Sequence, residues 1–461
     1  MQVSTLDNKS KMPLYIAAIL YFIIFFYLTF PKAGIKIEGI PIALHDILFL
    51  FLILFSLTRM ADWSATFLQN KRVIILMMIF AIYASLKLGY SFWHAGLLDV
   101  GIIIPLLVYP VIFLLLLLFD QVYEMPWDTL LLIPIAAFFI LCVYALMQFF
   151  MGIENVMVPG LTYNWTDAQD PNILSTKHNI YGPYTKIFST YQNGNIFGVN
   201  LLLIFPLVFE LLYERRKSLG YLAMVVFITV AFLTASRAVW AGVFLYVLIR
   251  FFLFKQGWKR VLVILPLLFM SSLLLFIEPL RYRANMFLGK DTIPKIIEVP
   301  GMDSISEQAG GTDQTWARLH TDEPPQIENL SGRLDNLYRL WDATFGTLNW
   351  GAIFFGAYGI LPKRSYGIPF EIIYAAIFGY LGLIGLVLWS LPILFSLYNF
   401  FKLRDDLVIR GVLLGLICYF IAAMAEGAYW LTPTVFNLWL IIGIGWLRFN
   451  YLNQTTRAAT I

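Results

Sequence analysis

Apolar residues run along this chain in unbroken blocks of about 17–25 positions, separated by short polar breaks. A block of that length, wound as a helix, spans the hydrocarbon layer and satisfies every backbone polar group within itself. The pattern therefore predicts an all-α polytopic membrane protein with about twelve transmembrane helices. They are expected over residues 13–30, 41–58, 73–90, 101–119, 129–150, 195–213, 219–235, 238–254, 261–278, 370–398, 407–424 and 434–449. Two breaks stand out by length, at 152–194 and 279–369. Loops of that size usually carry function or lack fixed structure. The second holds a polar, Gly-rich tract, "EVPGMDSISEQAGGTDQTWARLHTDEPPQ", followed by Leu334, Leu337, Tyr338, Trp341 and Phe345 at helical spacing. That spacing predicts an amphipathic helix lying on the membrane face or capping a cavity. No internal repeat or second soluble domain is visible, so residues 1–461 read as one integral membrane domain.

Charge orients the spans. Arg59, Lys71 and Arg72 share one short loop, Arg215, Arg216 and Lys217 a second, Lys255, Lys259 and Arg260 a third, and Lys402 and Arg404 a fourth. With about twelve spans all four fall on the side of both termini, and positive loops mark the cytoplasmic side. The loop with Asp120, Glu124 and Asp128 lacks basic residues and runs against the trend. Both long loops fall on the outer face. Lys9 and Lys11 precede the first apolar block without a small-residue cleavage site, which reads as an anchor rather than a cleaved leader. The net charge of +4 is dispersed over loops and excludes nucleic acid as a natural partner. Cys142 and Cys418 lie inside apolar blocks, and the four histidines have no metal-binding spacing.

Among the outer-face cations, Arg237 is the most confined. It stands in "FLTASRAVWAG", a turn too short to hold it far from the headgroup level. A guanidinium there presents a planar fork of donors that suits phosphate oxygens, and equally it can snorkel and anchor a helix end. Glu426, in "MAEGAYW", is a carboxylate at another outer span end, or an interhelical pair. His320 lies in the polar tract, and His45–Asp46 reads as a satisfied polar pair. Trp316, Tyr338, Trp341, Trp350, Tyr358, Tyr366, Tyr429 and Trp430 fall on the outer face, as interface residues or as sugar-stacking surfaces. The first outer loop, "PKAGIKIEGI", has Glu38 alone, and Asp167 and Asp170 lack diagnostic spacing, so no metal and no other cofactor is expected.

"TASRAVWAG" resembles the Ser-Arg turn of the O-antigen ligase and O-antigen polymerase (Wzy) family, bacterial enzymes that act on lipid-linked glycans. "STYQNGNIFGVNLLL" resembles that family's Asn-Pro-Asn helix start, with Gly194 at the proline place. "SGRLDNLYRLWDATF" resembles the Arg-x3-Leu helix of its large outer loop, with Arg333 and Leu337 on the pattern. "FFGAYGI" and "EIIYAAIFGYLGLIG" follow in the family order. The resemblance covers roughly residues 189–385 and implies a GT-C-like architecture in the bacterial inner membrane, with the active site on the periplasmic face. It implies an undecaprenyl-diphosphate-linked glycan as donor and acceptor, with a chain-length regulator and a flippase as companions. Arg237, Arg333, Arg339 and Lys186 would hold the diphosphate.

Ligases open the last of these spans with a His-Asn pair ahead of a Gly-x-x-Gly. Counting back from Gly382 and Gly385 puts Glu371 and Ile372 there, so the histidine is missing. Polymerases vary at this place and often carry acidic residues, which makes Glu371 the first candidate base and Glu426 the second. Glu371 directly after Pro369–Phe370 also fits an ordinary helix start. The expectation is an inverting, metal-independent polymerase. A ligase is the alternative, and a flippase or transporter the third, disfavoured because polarity gathers at the outer face and mid-span regions are nearly clean.

Overall fold

The computed structural model describes residues 10–37, 40–94, 97–163, 180–181, 184–191, 193–253, 269, 272–274, 276–287, 337–357, 372–424 and 432–459. The chain is helical. In order come α1 (Leu14–Thr29), α2 (Leu44–Leu57), α3 (Met60–Gln69), α4 (Lys71–His94), α5 (Leu97–Val108), α6 (Val111–Val122), α7 (Trp127–Met151) and the single turn α8 (Ile153–Val156). Then follow α9 (Gly194–Arg215), α10 (Lys217–Leu233), α11 (Arg237–Leu253), α12 (Glu278–Phe287), α13 (Trp350–Phe355), α14 (Ile373–Lys402), α15 (Leu407–Ala422) and α16 (Thr432–Ala459).

Six helical stretches among the described residues are long and apolar enough to cross a membrane: Lys71–Tyr90, Ile103–Val122, Trp127–Met151, Gly194–Arg215, Ile373–Lys402 and Thr434–Thr455. Counting the bent pair α2–α3 as one span makes seven, and Leu14–Thr29, Lys217–Leu233 and Leu407–Ala422 are shorter apolar helices. The chain is thus a multi-pass helical membrane protein by length and composition. Most of the expected block 261–278 lies outside the described residues.

Two departures have local causes. The polar break after α2 is not a plain loop, because α3 turns 96° away from α2 and lies across the bundle end. Thr66 on its inner face is buried, and the Trp63 indole N–H bonds the Ser56 carbonyl at 3.0 Å, which fastens the corner. The block expected over 101–119 is the candidate span Ile103–Val122, but it is interrupted by a turn at Tyr109–Pro110 between α5 and α6, where a proline cannot extend the backbone ladder.

The centre of the bundle is α9. Of its most apolar 18-residue window 89% is buried, against 33% for α4, so α9 is core and α4 is periphery. It is packed by α10, α11, α15 and α16. Amides join the centre to its neighbour: Asn437 of α16 donates to Asn200 Oδ1 at 2.9 Å, both side chains fully buried. Such bonds are retained in an apolar interior because an unmade one leaves the polar group stranded.

The bundle has two distinct ends. At one stand the chain start (Ser10–Lys11 paired with Tyr123–Glu124), α3, the Arg215–Lys217 turn and the end of α14. The acidic loop that ran against the charge trend belongs here, where Arg59 donates to the Tyr123 hydroxyl at 2.7 Å. This is the basic end. At the other, the loop end, lie the start of α9, the α10–α11 turn and the described piece of the second long loop.

Candidate functional site

The turn between α10 and α11 is locally determined. Phe232 stacks on Trp240 with ring centres 5.1 Å apart, and the Trp240 indole N–H donates to the Phe232 carbonyl at 3.2 Å. Thr234 caps α10 and its hydroxyl donates back to Ala231 at 2.7 Å. Ala235 then takes φ +50°, a left-handed conformation usually left to glycine after a helix. The reversal is so tight that Arg237 is the first residue of α11. Ser236 is buried and Arg237 half-buried.

Against this turn lies the segment Lys186–Tyr191. The Ile187 N–H donates to the Leu233 carbonyl at 3.2 Å. Gly194 faces the same place, since a Cβ there would stand 3.0 Å from Lys186 Cβ and 3.1 Å from the Thr234 carbonyl oxygen. Asn193 caps α9, its side chain accepting from the N–H groups of Asn195 and Ile196. Lys186 is buried to 7% exposure and its ammonium donates to Asn195 Oδ1 at 3.1 Å. Two helix N-termini, of α9 and α11, therefore meet beside Lys186 and Arg237, and neither helix has an acidic residue in its first turn. Helix N-termini carry partial positive charge, offset here by the C-terminal carbonyls of α10, so the two cations set the sign of the corner.

What holds the segment is a residue that sequence reasoning passed over. Gln148, buried near the end of α7, donates to the Ser189 carbonyl at 2.9 Å and accepts from the Ser189 and Phe188 N–H groups at 2.8 and 3.3 Å. Ser189 itself has φ +51° and donates its hydroxyl to the Leu141 carbonyl at 2.9 Å. The Thr190 hydroxyl bonds the Thr29 carbonyl, and the Tyr191 hydroxyl the Leu28 carbonyl, so α1 braces the other side. A lone glutamine in an apolar block was the only signal available.

Beside the segment opens a cavity of about 370 Å³. Gln148, Glu154, Tyr184, Thr185, Leu233 and Pro279 are among its walls. Tyr184 packs edge-on against Tyr282 at 5.5 Å. Desolvation and the neighbouring Glu278 carboxylate push the Tyr184 phenol up.

The large-loop piece docks elsewhere on this end. Residues 337–341 are helical and run into a wide turn, Asp342–Gly346. Leu340 and Ala352 are buried against Ala375 and Phe378 of α14, and Phe345 stacks on Phe378 at 5.8 Å. Gly356 and Gly382 (φ +96° and +69°) meet backbone to backbone, where any Cβ would overlap the opposing carbonyl. The stretches "FFGAYGI" and "FGYLGLIG" are thus in contact. Leu340 faces the protein, while Tyr338 and Trp341 of the expected apolar stripe point outward, 69% and 62% exposed.

Of the candidate site residues, Lys186 and Arg237 flank the same corner. Arg339 is exposed on the docked loop piece, and no described hydrogen bond or ion pair joins it to either. Arg333, Glu371, Glu426 and His320 lie outside the described residues. His45 and Asp46 are not the satisfied pair expected: Asp46 accepts from the Tyr27 hydroxyl, while His45 Nε2 is buried without a described partner. Among the described residues no three His, Cys, Asp or Glu side chains converge as a metal site would require. No family model matches this chain, and no curated protein matches it.

Proposed function

We propose that this protein is a bacterial inner-membrane glycosyltransferase that polymerises polyprenyl-diphosphate-linked oligosaccharide repeat units at its loop end, facing the periplasm. The observation that carries the reading is the meeting of Lys186 and Arg237 with the N-termini of α9 and α11. Preorganised cations are what a diphosphate leaving group asks for as charge builds on it. The two long loops, both at this end, supply material to enclose a glycan.

In the reaction an acceptor sugar hydroxyl attacks the anomeric carbon of the donor. The new glycosidic C–O bond forms as the bond from that carbon to the diphosphate oxygen breaks. The lipid diphosphate leaves with the bonding electrons, held by Arg237 and Lys186 with Arg333 and Arg339 in support. The hydroxyl proton passes to Glu371, with Glu426 as the second candidate base. One carboxylate acting from the face opposite the diphosphate inverts the anomeric centre, whereas retention asks for a second as nucleophile. No metal or cofactor is assigned a step. About twelve spans on a GT-C-like scaffold, with both termini cytoplasmic, complete the proposal, with a chain-length regulator and a flippase as companions.

The test is purified protein with a defined undecaprenyl-diphosphate-linked repeat unit, read as polymer length. Arg237→Lys keeps the charge and loses the fork, so polymerisation should fall about a hundredfold in a well-folded protein. Normal polymer from that variant overturns the diphosphate role. Transfer only to an added lipid A core or protein acceptor, with no polymer, would make the chain a ligase instead.

A further inference from the structure

The basic end holds a cavity of its own, about 430 Å³, where α4 begins and where α14 and α16 finish. Lys71 and Arg72, in the first turn of α4, stand in its wall with the amides of Asn453 and Gln454 and the rings of Phe395 and Trp446. No Asp or Glu is among its lining residues, and the first turn of α4 has none either. The wall is a built one. Asn450 and Asn70, 8% and 4% exposed, bond side chain to side chain at 3.0 Å across the cavity's rim. The Trp446 indole is held by the Ser396 hydroxyl at 2.8 Å, which fixes the ring beside the cations.

We infer that this cavity binds the phosphate headgroup of an anionic glycerophospholipid. Three observations converge on that occupant. Two exposed cations and two amides face an acid-free space, which selects an anion with several acceptor oxygens. The lining also has an apolar side, Phe395, Trp446 and Phe449, that would be idle against a soluble ion but suits the glycerol and first methylenes of a lipid. The place is also right: the candidate spans Lys71–Tyr90, Ile373–Lys402 and Thr434–Thr455 all end here, so the mouth opens where a bilayer's headgroups would lie. Basic pockets between helix ends on the positively charged face of a membrane protein attract anionic headgroups by the same rule. The inference stands apart from the proposed glycosyl transfer and needs none of its residues.

Thermal unfolding of the full chain in a neutral detergent tests it, with dioleoylphosphatidylglycerol, dioleoylphosphatidylcholine or inorganic phosphate added. Phosphatidylglycerol at about a hundredfold over its dissociation constant should raise Tm by about 3 °C, and the other two should leave it unmoved. The Lys71→Gln/Arg72→Gln double variant should lose the shift, while Arg215→Gln/Arg216→Gln, at an exposed basic turn on the same end, should keep it. Native mass spectrometry of the unmutated protein from mixed-lipid nanodiscs covers the case of a double variant that does not fold, and should show phosphatidylglycerol retained over phosphatidylcholine. Equal shifts with both lipids, no preferential retention, or a shift that survives in the double variant overturns the site. A shift with inorganic phosphate alone shows a soluble-anion site and overturns the lipid assignment.

Discussion

The two ends of the bundle are built by opposite rules. At the basic end the buried charges are paired and helices are pinned. Glu210 of α9 is fully buried and accepts from Arg410 of α15 at 2.7 and 3.0 Å. Arg250 of α11 stands 3.0 Å from its other oxygen, off hydrogen-bond alignment, with its guanidinium over the Phe209 ring at 4.7 Å. Asp406 caps α15 and takes Arg448 of α16 at 2.8 Å. At the loop end the backbone is strained instead. The described non-glycine residues with positive φ are Ser189, Ala235 and Leu348, and all three stand there. Gly34, Gly152, Gly160, Gly356 and Gly382, the described positive-φ glycines, stand there too, and take that backbone without strain of their own. Strain of this kind is retained where a geometry is over-determined by its surroundings, and it gathers at functional sites. The buried charges of one end fix the bundle, while the left-handed turns of the other shape its surface, which is why the buried ion pairs and the loop-end cations do different work.

The sharpest break of this contrast comes from the loop end. Glu371→Gln should cut turnover by about 10²–10⁴ while donor binding, supplied by the cations, persists. The unfolding temperature should stay at the wild-type value. Single-turnover rates and lipid-linked donor binding, measured on the same preparation, separate the two. Polymerisation at the wild-type rate would make the carboxylate a helix-start residue and move the role to Glu426.

The basic end should answer in the other currency. Glu210→Ala leaves Arg250 and Arg410 buried without their carboxylate, and breaking a buried ion pair from one side costs about 3–5 kcal/mol. Denaturation in detergent should show that loss, with activity per folded molecule unchanged. A collapse of activity at full stability would mean that the triad takes part in the reaction, and the division of labour between the ends would fail.

Much of this architecture was legible because membrane burial writes long signals. The apolar blocks place α1, α2, α4, α7, α9, α10, α11, α14 and α15 to within a few residues, since a spanning segment has to be continuous, whereas the short helices α3, α8, α12 and α13 carry no such signal. The described basic loops, with Arg59, Lys71 and Arg72, with Arg215–Lys217 and with Lys402 and Arg404, stand at one end of the bundle. The corner of Lys186 and Arg237 was legible in part: both residues drew notice as cations, but that their two segments meet is a finding of the structure. What escaped was non-local. Glu210 lies in "FPLVFELLY", a block that gives no hint of partners 40 and 200 positions away. Gln148 is one polar residue in α7, and its three bonds depend on a backbone turn about 40 residues downstream. Ala235 has the left-handed backbone of a glycine without being one, so its turn leaves no compositional mark.

Gln148 also offers a test midway between the ends. Gln148→Leu keeps the volume and strands the Ser189 carbonyl and the N–H groups of Phe188 and Ser189 in an apolar interior. Buried unsatisfied groups cost about 1–3 kcal/mol each, less what relaxation recovers, so a loss of about 2–4 kcal/mol is expected. Because the same segment carries Lys186 and pairs with Leu233, donor affinity should weaken as well. Stability lost with donor affinity intact would show that the segment braces the fold without shaping the corner.

The smallest effect tests the strain itself. Leu348 has φ +50° in the turn after Asp342–Gly346, yet its side chain is 63% exposed. Its N–H donates to Phe345 at 3.2 Å, and Asn349 next to it caps α13 through the Ala352 N–H. Left-handed backbone costs a residue with a Cβ about 1–2 kcal/mol, and glycine is spared it. Little apolar burial is forfeited by removing so exposed a side chain, though glycine adds some unfolded-state entropy. Leu348→Gly should therefore stabilise the protein by about 0.5–1 kcal/mol, read as a rise in the denaturation midpoint. A destabilised variant would mean that the leucine packs on lipid or on the rest of the long loop, and that the turn is held for the side chain it displays.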